Sequence, residues 1–189
     1  DNGVISFGPV GDSYYYSSTR ATITGTIVDH GVNVPVTGEA WKDRQWGNFL
    51  ASPGGGWDWL SLQLSDRTEL MIFILRGLDG TSTPSSGTMV RPDGTTQSLR
   101  LGATRVMALG HWQSPHTGTA YPSGWSVELP EQGLAVQAEP VIADQELDTR
   151  ASTGTIYWEG EVDLIGTNHG NAVSGWGYVE LTGYAASRP

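Results

Sequence analysis

Alternation of apolar and polar residues runs through this sequence almost without interruption, and no stretch carries a convincing apolar stripe at helical period. Thr22 to Val28 alternates around Ile23; Val32, Val34 and Val36 alternate, as do Leu60, Leu62 and Leu64. Side chains that alternate between two faces are the signature of strands. Further strand-like runs cover Glu69 to Arg76, Thr88 to Arg91, Thr95 to Leu101, Thr104 to Trp112, Gly124 to Leu129, Leu134 to Ile142, Tyr157 to Ile165 and Trp176 to Tyr184. Between them stand the turn signals "DHG", "SPGGG", "LDG", "RPDG", "PEQG" and "TNHGN", and the 26 glycines fit tight turns. About ten or eleven strands at hairpin spacing predict an antiparallel barrel or a sandwich. No linker breaks the pattern, so residues 1–189 read as a single domain.

Charge and composition exclude several roles. A net charge of −10 argues against a nucleic-acid partner, which needs a basic face. With no cysteine there are neither disulfides nor thiolate metal sites. No apolar run approaches the ~20 residues that span a bilayer, and no signal peptide opens the chain. The opening "DNGVISFGPVGDSYYYS" reads as a processed chain or an excised domain.

The two faces of the strands differ in kind. In "GWDWLSLQLS", Trp57, Trp59, Ser61 and Gln63 share one face, while Asp58, Leu60, Leu62 and Leu64 share the other. Tyr157 and Glu159 oppose Trp158, Val162 and Leu164; Trp176, Tyr178 and Glu180 oppose Val179 and Leu181. One aliphatic face packs a core. The other, with rings around isolated polar groups, is expected to line a ligand cavity or meet another domain.

Several constellations offer chemistry. In "EAWKDRQWGN" an extended chain puts Trp41, Asp43 and Gln45 on one face, with Lys42, Arg44 and Trp46 opposite. A carboxyl beside indole rings is desolvated, which raises its pKa and suits it to general-acid work. An ion pair with Arg44 or Lys42 is the structural alternative. Asp58 falls on the leucine face and, buried there, needs a cation such as Arg44 or Arg76. Glu159 and Glu180 fall on aromatic faces as further acids or polar anchors. "DQELDTR" aligns Asp144, Glu146 and Asp148 in a way that permits calcium, although such runs more often pair with their own arginine. His111 and His116 lack a third clustered metal ligand. "GDS" at 11 to 13 is followed by "YYYSS", a strand rather than the helix a nucleophile elbow needs.

Taken in order, "GEAWKDRQWGN", "GGGWDWLSLQLSD", "TELMIFILRGLDG", "YPSGW", "DQELDTR", "YWEGEVDLIG" and "GWGYVELTGY" resemble the second half of the lipocalin-like CrtC/AttH family. That family holds carotenoid 1,2-hydratases (hydroxyneurosporene synthases), proteins labelled secreted hydrolases, and related Diels–Alder cyclases. The resemblance implies an all-β fold, a calycin-type antiparallel barrel of about ten strands. It also implies a second, N-terminal barrel or a partner subunit, because family members usually carry two. In the hydratases an acid in the W-x-D-x-x-W-G block protonates an isolated alkene, and its counterpart here is Asp43. Relatives often place His and an acid after that Asp, where this sequence has Arg44 and Gln45.

The expectation is therefore a hydratase or cyclase acting on an isoprenoid or polyketide-like molecule without a cofactor. Asp43 and Glu159 are its catalytic candidates. Trp41, Trp46, Trp57, Asp58, Trp59, Gln63, Tyr157, Trp176 and Tyr178 are its substrate-binding candidates, and no residue is assigned to a metal. The alternatives are a non-catalytic module that binds an apolar ligand or docks a subunit, and a secreted hydrolase. Family labels favour the periplasm or export over the cytoplasm.

Overall fold

Two long strands, Asp12–Asp29 (β2) and Val32–Gly47 (β3), form a hairpin that takes up most of the first of two compact units, Asp1–Ser52. The computed structural model describes residues 3–6, 11–48, 55–77, 79, 81–82 and 85–185. The turns expected at 52–56 and 78–80 therefore lie partly outside the described residues. A short strand Val4–Ser6 (β1) pairs with β2, giving the order β1-β2-β3. The "DHG" signal is the hairpin turn, with His30 at φ 46° and Gly31 at φ 82°. Two successive left-handed residues make the turn whose twist matches that of paired strands. A register shift between Ser18 and Ala21 interrupts the ladder, where Arg20 pairs with Glu39 at 2.5 Å.

The second unit, Pro53–Pro189, is one antiparallel sheet. Its strands are Gly56–Leu64 (β4), Glu69–Arg76 (β5), Ser86–Val90 (β6), Thr96–Leu99 (β7), Arg105–Gln113 (β8), Ala120–Leu129 (β9), Leu134–Pro140 (β10), Glu146–Asp148 (β11), Ile156–Asn168 (β12) and Asn171–Thr182 (β13). Nine of them follow the path β7-β6-β5-β4-β13-β12-β10-β9-β8, and β11 adds to β12. The sheet curls into a half-barrel, so the fold is all-β and of the expected antiparallel class. The "TNHGN" turn between β12 and β13 repeats the first hairpin's conformation, with His169 at φ 49° and Gly170 at φ 81°. A single turn of 3-10 helix, Pro130–Gln132, joins β9 to β10.

The aliphatic faces all turn into this half-barrel. Leu60, Leu62, Leu64, Leu70, Ile72, Val162, Leu164, Val179 and Leu181 are buried together with Trp125 and Trp158, whose rings lie 5.7 Å apart. Each such side chain removed from water stabilises the fold by about 1.5–3 kcal/mol before conformational entropy is charged against it. Along the middle of β4 and β5, Ser61, Gln63, Glu69 and Met71 are buried too, although they lie on the opposite face. Both faces of "ELMIFILR" being apolar reflects this. The half-barrel interior is a packed core, and the aromatic face lies outside it.

Candidate functional site

In the first unit the β2–β3 register sets Asp43 opposite Ser17. Its carboxylate accepts hydrogen bonds from Ser17 Oγ at 2.5 Å and from Trp41 Nε1 at 2.8 Å. Asp43 is exposed, so two donors rather than burial define its surroundings. Gln45, on the same face, donates to Ser13 Oγ at 2.8 Å. Trp46 lies on the other face with Arg44, stacked on Tyr14 at 5.5 Å and edge-on to Tyr16 at 6.1 Å. Strand alternation thus separates Trp46 and Arg44 from the carboxylate. The "GDS" serine, Ser13, is buried within β2, away from any strand-to-helix elbow.

In the second unit, three strands bring most of the remaining candidates onto one face. The registers align Glu159 of β12, Glu180 of β13, Trp59 of β4 and Phe73 of β5 in one row across the sheet. In the row on one side Tyr157 faces Thr182, and the backbone N–H of Trp57 donates to Thr182 Oγ1 at 3.0 Å. The row on the other side runs Glu161, Tyr178, Ser61 and Met71, and the next runs Asp163, Trp176, Gln63 and Glu69. Two indoles are oriented by their N–H groups. Trp57 Nε1 donates to Glu180 Oε1 at 2.8 Å, and Trp176 Nε1 donates to Gln63 Oε1 at 2.8 Å. Trp57 and Tyr157 meet edge to face with ring centroids 6.4 Å apart. Trp57, Trp176 and Tyr178 remain exposed, which leaves an apolar surface open to a ligand.

Electrostatics single out Glu159. It is half-buried among these rings, and burial pushes its carboxyl above the ordinary glutamate value of 4.5. The Tyr157 phenol is raised by burial and then by the charges of Glu180 and Glu159. Tyr178 is raised by burial and then by Glu159 and Glu180. Both tyrosines therefore sense both carboxylates and stay protonated hydrogen-bond donors at neutral pH.

Asp58 is not part of this face. It points to the core side and pairs with Arg76 Nε at 3.1 Å, the two side chains being 15% and 14% exposed. Tyr184 Oη donates to both Asp58 oxygens at 3.1 and 3.0 Å, and the Arg76 guanidinium sits 3.7 Å above the Tyr184 ring. Burial raises the Asp58 pKa, and it outweighs the opposing pull of Arg76 and Tyr184. Arg76, one of the two cations the sequence offers, is the partner; Tyr184 was not anticipated.

The acidic run "DQELDTR" disperses rather than converges. Asp144 meets His116 at 2.9 Å. Glu146 accepts the hydroxyls of Ser114 (2.5 Å), Thr117 (2.7 Å) and Tyr121 (2.9 Å). Asp148 is held by Arg150 at 2.6 Å, and these hydrogen bonds lower its carboxyl to about 2. Among the described residues no group of three or more His, Cys, Asp or Glu is placed to hold a metal ion. A cleft of about 730 Å³ is lined by polar residues such as Asp66, Thr68, Arg91 and His169 together with Met89 and Val173, and by none of the aromatic candidates.

A model of the AttH-like family matches residues 1–184. Among curated proteins, kievitone hydratase of Fusarium solani subsp. phaseoli is 28% identical over 184 residues, which is 95% of this chain and 51% of that protein. Dehydratase asqC of Emericella nidulans is 23% identical over 189 residues, covering 95% of this chain and 52% of that one. Among solved structures, an AttH protein from Nitrosomonas europaea superposes with a TM-score of 0.86 at 36% identity, over 98% of this chain and 57% of that chain. Kievitone hydratase from Nectria haematococca has the same fold, with a TM-score of 0.78 at 24% identity over 95% and 55% of the two chains. The chain spans about half the length of the curated relatives it matches.

Proposed function

This chain belongs to the AttH-like family, and from that premise we propose that it supplies an acid-bearing aromatic surface for hydration or dehydration of an apolar substrate, isoprenoid or polyketide-like in class. Relatives named as a hydratase and a dehydratase support the reaction type. The observation that carries the reading is Glu159, a half-buried carboxyl whose proton is retained above the ordinary range beside Trp57, Tyr157 and Tyr178. A protonated carboxyl in an apolar setting is what alkene protonation requires. The cation so formed is stabilised by indole and phenol faces, and water captures it. Dehydration is the same path reversed, with Glu159 protonating the departing hydroxyl.

Asp43 is the acid that the family resemblance assigns. Ser17 and Trp41 both donate to its Oδ1, which fixes the orientation of the carboxyl on the hairpin. The substitutions D43N and E159Q separate the roles. Replacing the acid lowers turnover by about 10²–10⁴-fold while ligand binding, read by tryptophan quenching, persists. Full turnover in both variants removes acid catalysis and leaves a cyclase that works by shaping its substrate. Binding with no turnover in the unsubstituted chain supports the second reading, an apolar-ligand or docking module, which the exposed Trp57, Trp176 and Tyr178 favour.

A further inference from the structure

Hydration of an alkene consumes a proton at carbon and releases one from water, so the site must recover one proton in each turnover. We propose that Glu180 is the base of this site, that it exchanges a proton with Glu159 across the β12–β13 ladder, and that Trp57 poises the pair. The proposal rests on the hydratase reading above only for its chemistry; the pair itself stands on geometry.

Glu159 and Glu180 are direct cross-strand partners on the same face, a placement that brings Cβ atoms to about 4.5–5.5 Å. Two carboxylates so placed repel when both are ionised, and sharing one proton relieves the repulsion. Their surroundings are unequal. Glu180 accepts the Trp57 Nε1–H at 2.8 Å, which fixes its carboxyl beside the indole. Glu159 is half-buried, and that burial favours its protonated form. The other titratable groups in these rows are Tyr157, Glu161 and Asp163 on β12, Tyr178 on β13, Glu139 on β10 and the buried Glu69 on β5. From β4 the neighbours are the uncharged Trp57, Trp59 and Ser61.

The step balances as follows. The Glu159 O–H bond breaks as a C–H bond forms at one alkene carbon, and the π pair is consumed, leaving a cation at the other carbon. A water oxygen bonds to that carbon while one of its protons passes to the Glu180 carboxylate. Return of that proton from Glu180 to Glu159 resets the pair, and the net change is alkene plus water to alcohol with no redox partner.

The test is a ¹³C NMR titration of the side-chain carboxyls in the full chain, without ligand, for the unsubstituted protein and for E180Q, E159Q and W57F. The pair predicts that Glu159 titrates above the ordinary range and moves down toward it in E180Q, where the neighbouring charge is gone. In W57F, which keeps a ring but loses the donor, Glu180 moves up and Glu159 moves down as the proton divides more evenly. W57F also keeps the test decisive if E180Q fails to fold. A Glu159 titration unmoved in both E180Q and W57F overturns the pair and leaves the acid role of Glu159 intact. Coupled titration in a chain that hydrates no isoprenoid alkene upholds the pair and removes the hydratase reading instead.

Discussion

Replacing Arg76 by Met will destabilise the second unit by several kcal/mol at neutral pH and by much less in acid. Arg76 lies almost wholly out of water, donates to Asp58 at 3.1 Å and to the Thr182 carbonyl, and rests 3.7 Å above the Tyr184 ring. Methionine matches much of its apolar stem, so lost packing is the smaller part. The larger part is Asp58, left among the described residues with only the Tyr184 hydroxyl as donor in a site that already resists its charge. Breaking a buried ion pair from one side costs about 3–5 kcal/mol, and the lost cation–π contact adds about 0.5–2 kcal/mol. Asp58 limits the damage by taking up a proton. Its folded-state pKa, already raised above 3.8, rises further without the arginine. A carboxyl whose folded pKa is raised favours the fold below its unfolded pKa and loses that advantage as pH rises through the folded value. The penalty of R76M must therefore grow with pH through that window. Urea unfolding followed by tryptophan fluorescence at several pH values measures it. A loss under about 1 kcal/mol at neutral pH, the range of exposed pairs, would refute the reasoning; so would a penalty that does not change with pH.

The same sign rule applies to Glu159 with the opposite practical outcome. Its raised pKa means that ionisation costs stability, so E159Q melts like the unsubstituted chain in acid and above it once pH passes the folded value; a gap that instead widens in acid contradicts the assignment. On the core face of β13, a Cβ at Gly175 runs into the Gln63 carbonyl, so G175A should cost about 1–3 kcal/mol in thermal unfolding as β4 and β13 are forced apart. Ile27, 56% exposed on the first hairpin, should accept threonine within about 0.5 kcal/mol, and a large loss of melting temperature there would mean that the residue is covered in solution.

What the sequence discloses here is local. Period-two alternation places Asp43 with Trp41 and away from Arg44 and Trp46, and that holds because β3 runs unbroken through the block. It likewise puts Asp58 on the leucine side, where Arg76 meets it. The "DHG" and "TNHGN" turns are legible because only a few residue types tolerate two successive left-handed positions. Register is not local, since a strand's pattern fixes which face a side chain takes and not which residue stands opposite. Ser17 as the partner of Asp43, 26 residues away, and Trp57 as the partner of Glu180, 123 residues away, follow from pairing that no periodicity records. The same holds for Glu159 opposite Glu180, and for Tyr184, which reaches Asp58 from the far end of the chain. Alternation also suggested two useful faces without saying which encloses the core. The indoles Trp125 and Trp158 fill the inside, so the open aromatic surface is the outer one.

The central claim is that Glu159 donates the proton in hydration, and its most direct measurement is turnover of an isoprenoid alkene by the full chain in D₂O. The unsubstituted chain should add one water and place one solvent deuteron on the adjacent carbon, read by mass spectrometry and NMR. E159Q should bind the same alkene, quench tryptophan emission alike, and turn over at least about 10²-fold more slowly. An E159Q chain that hydrates the alkene at the unsubstituted rate contradicts the account.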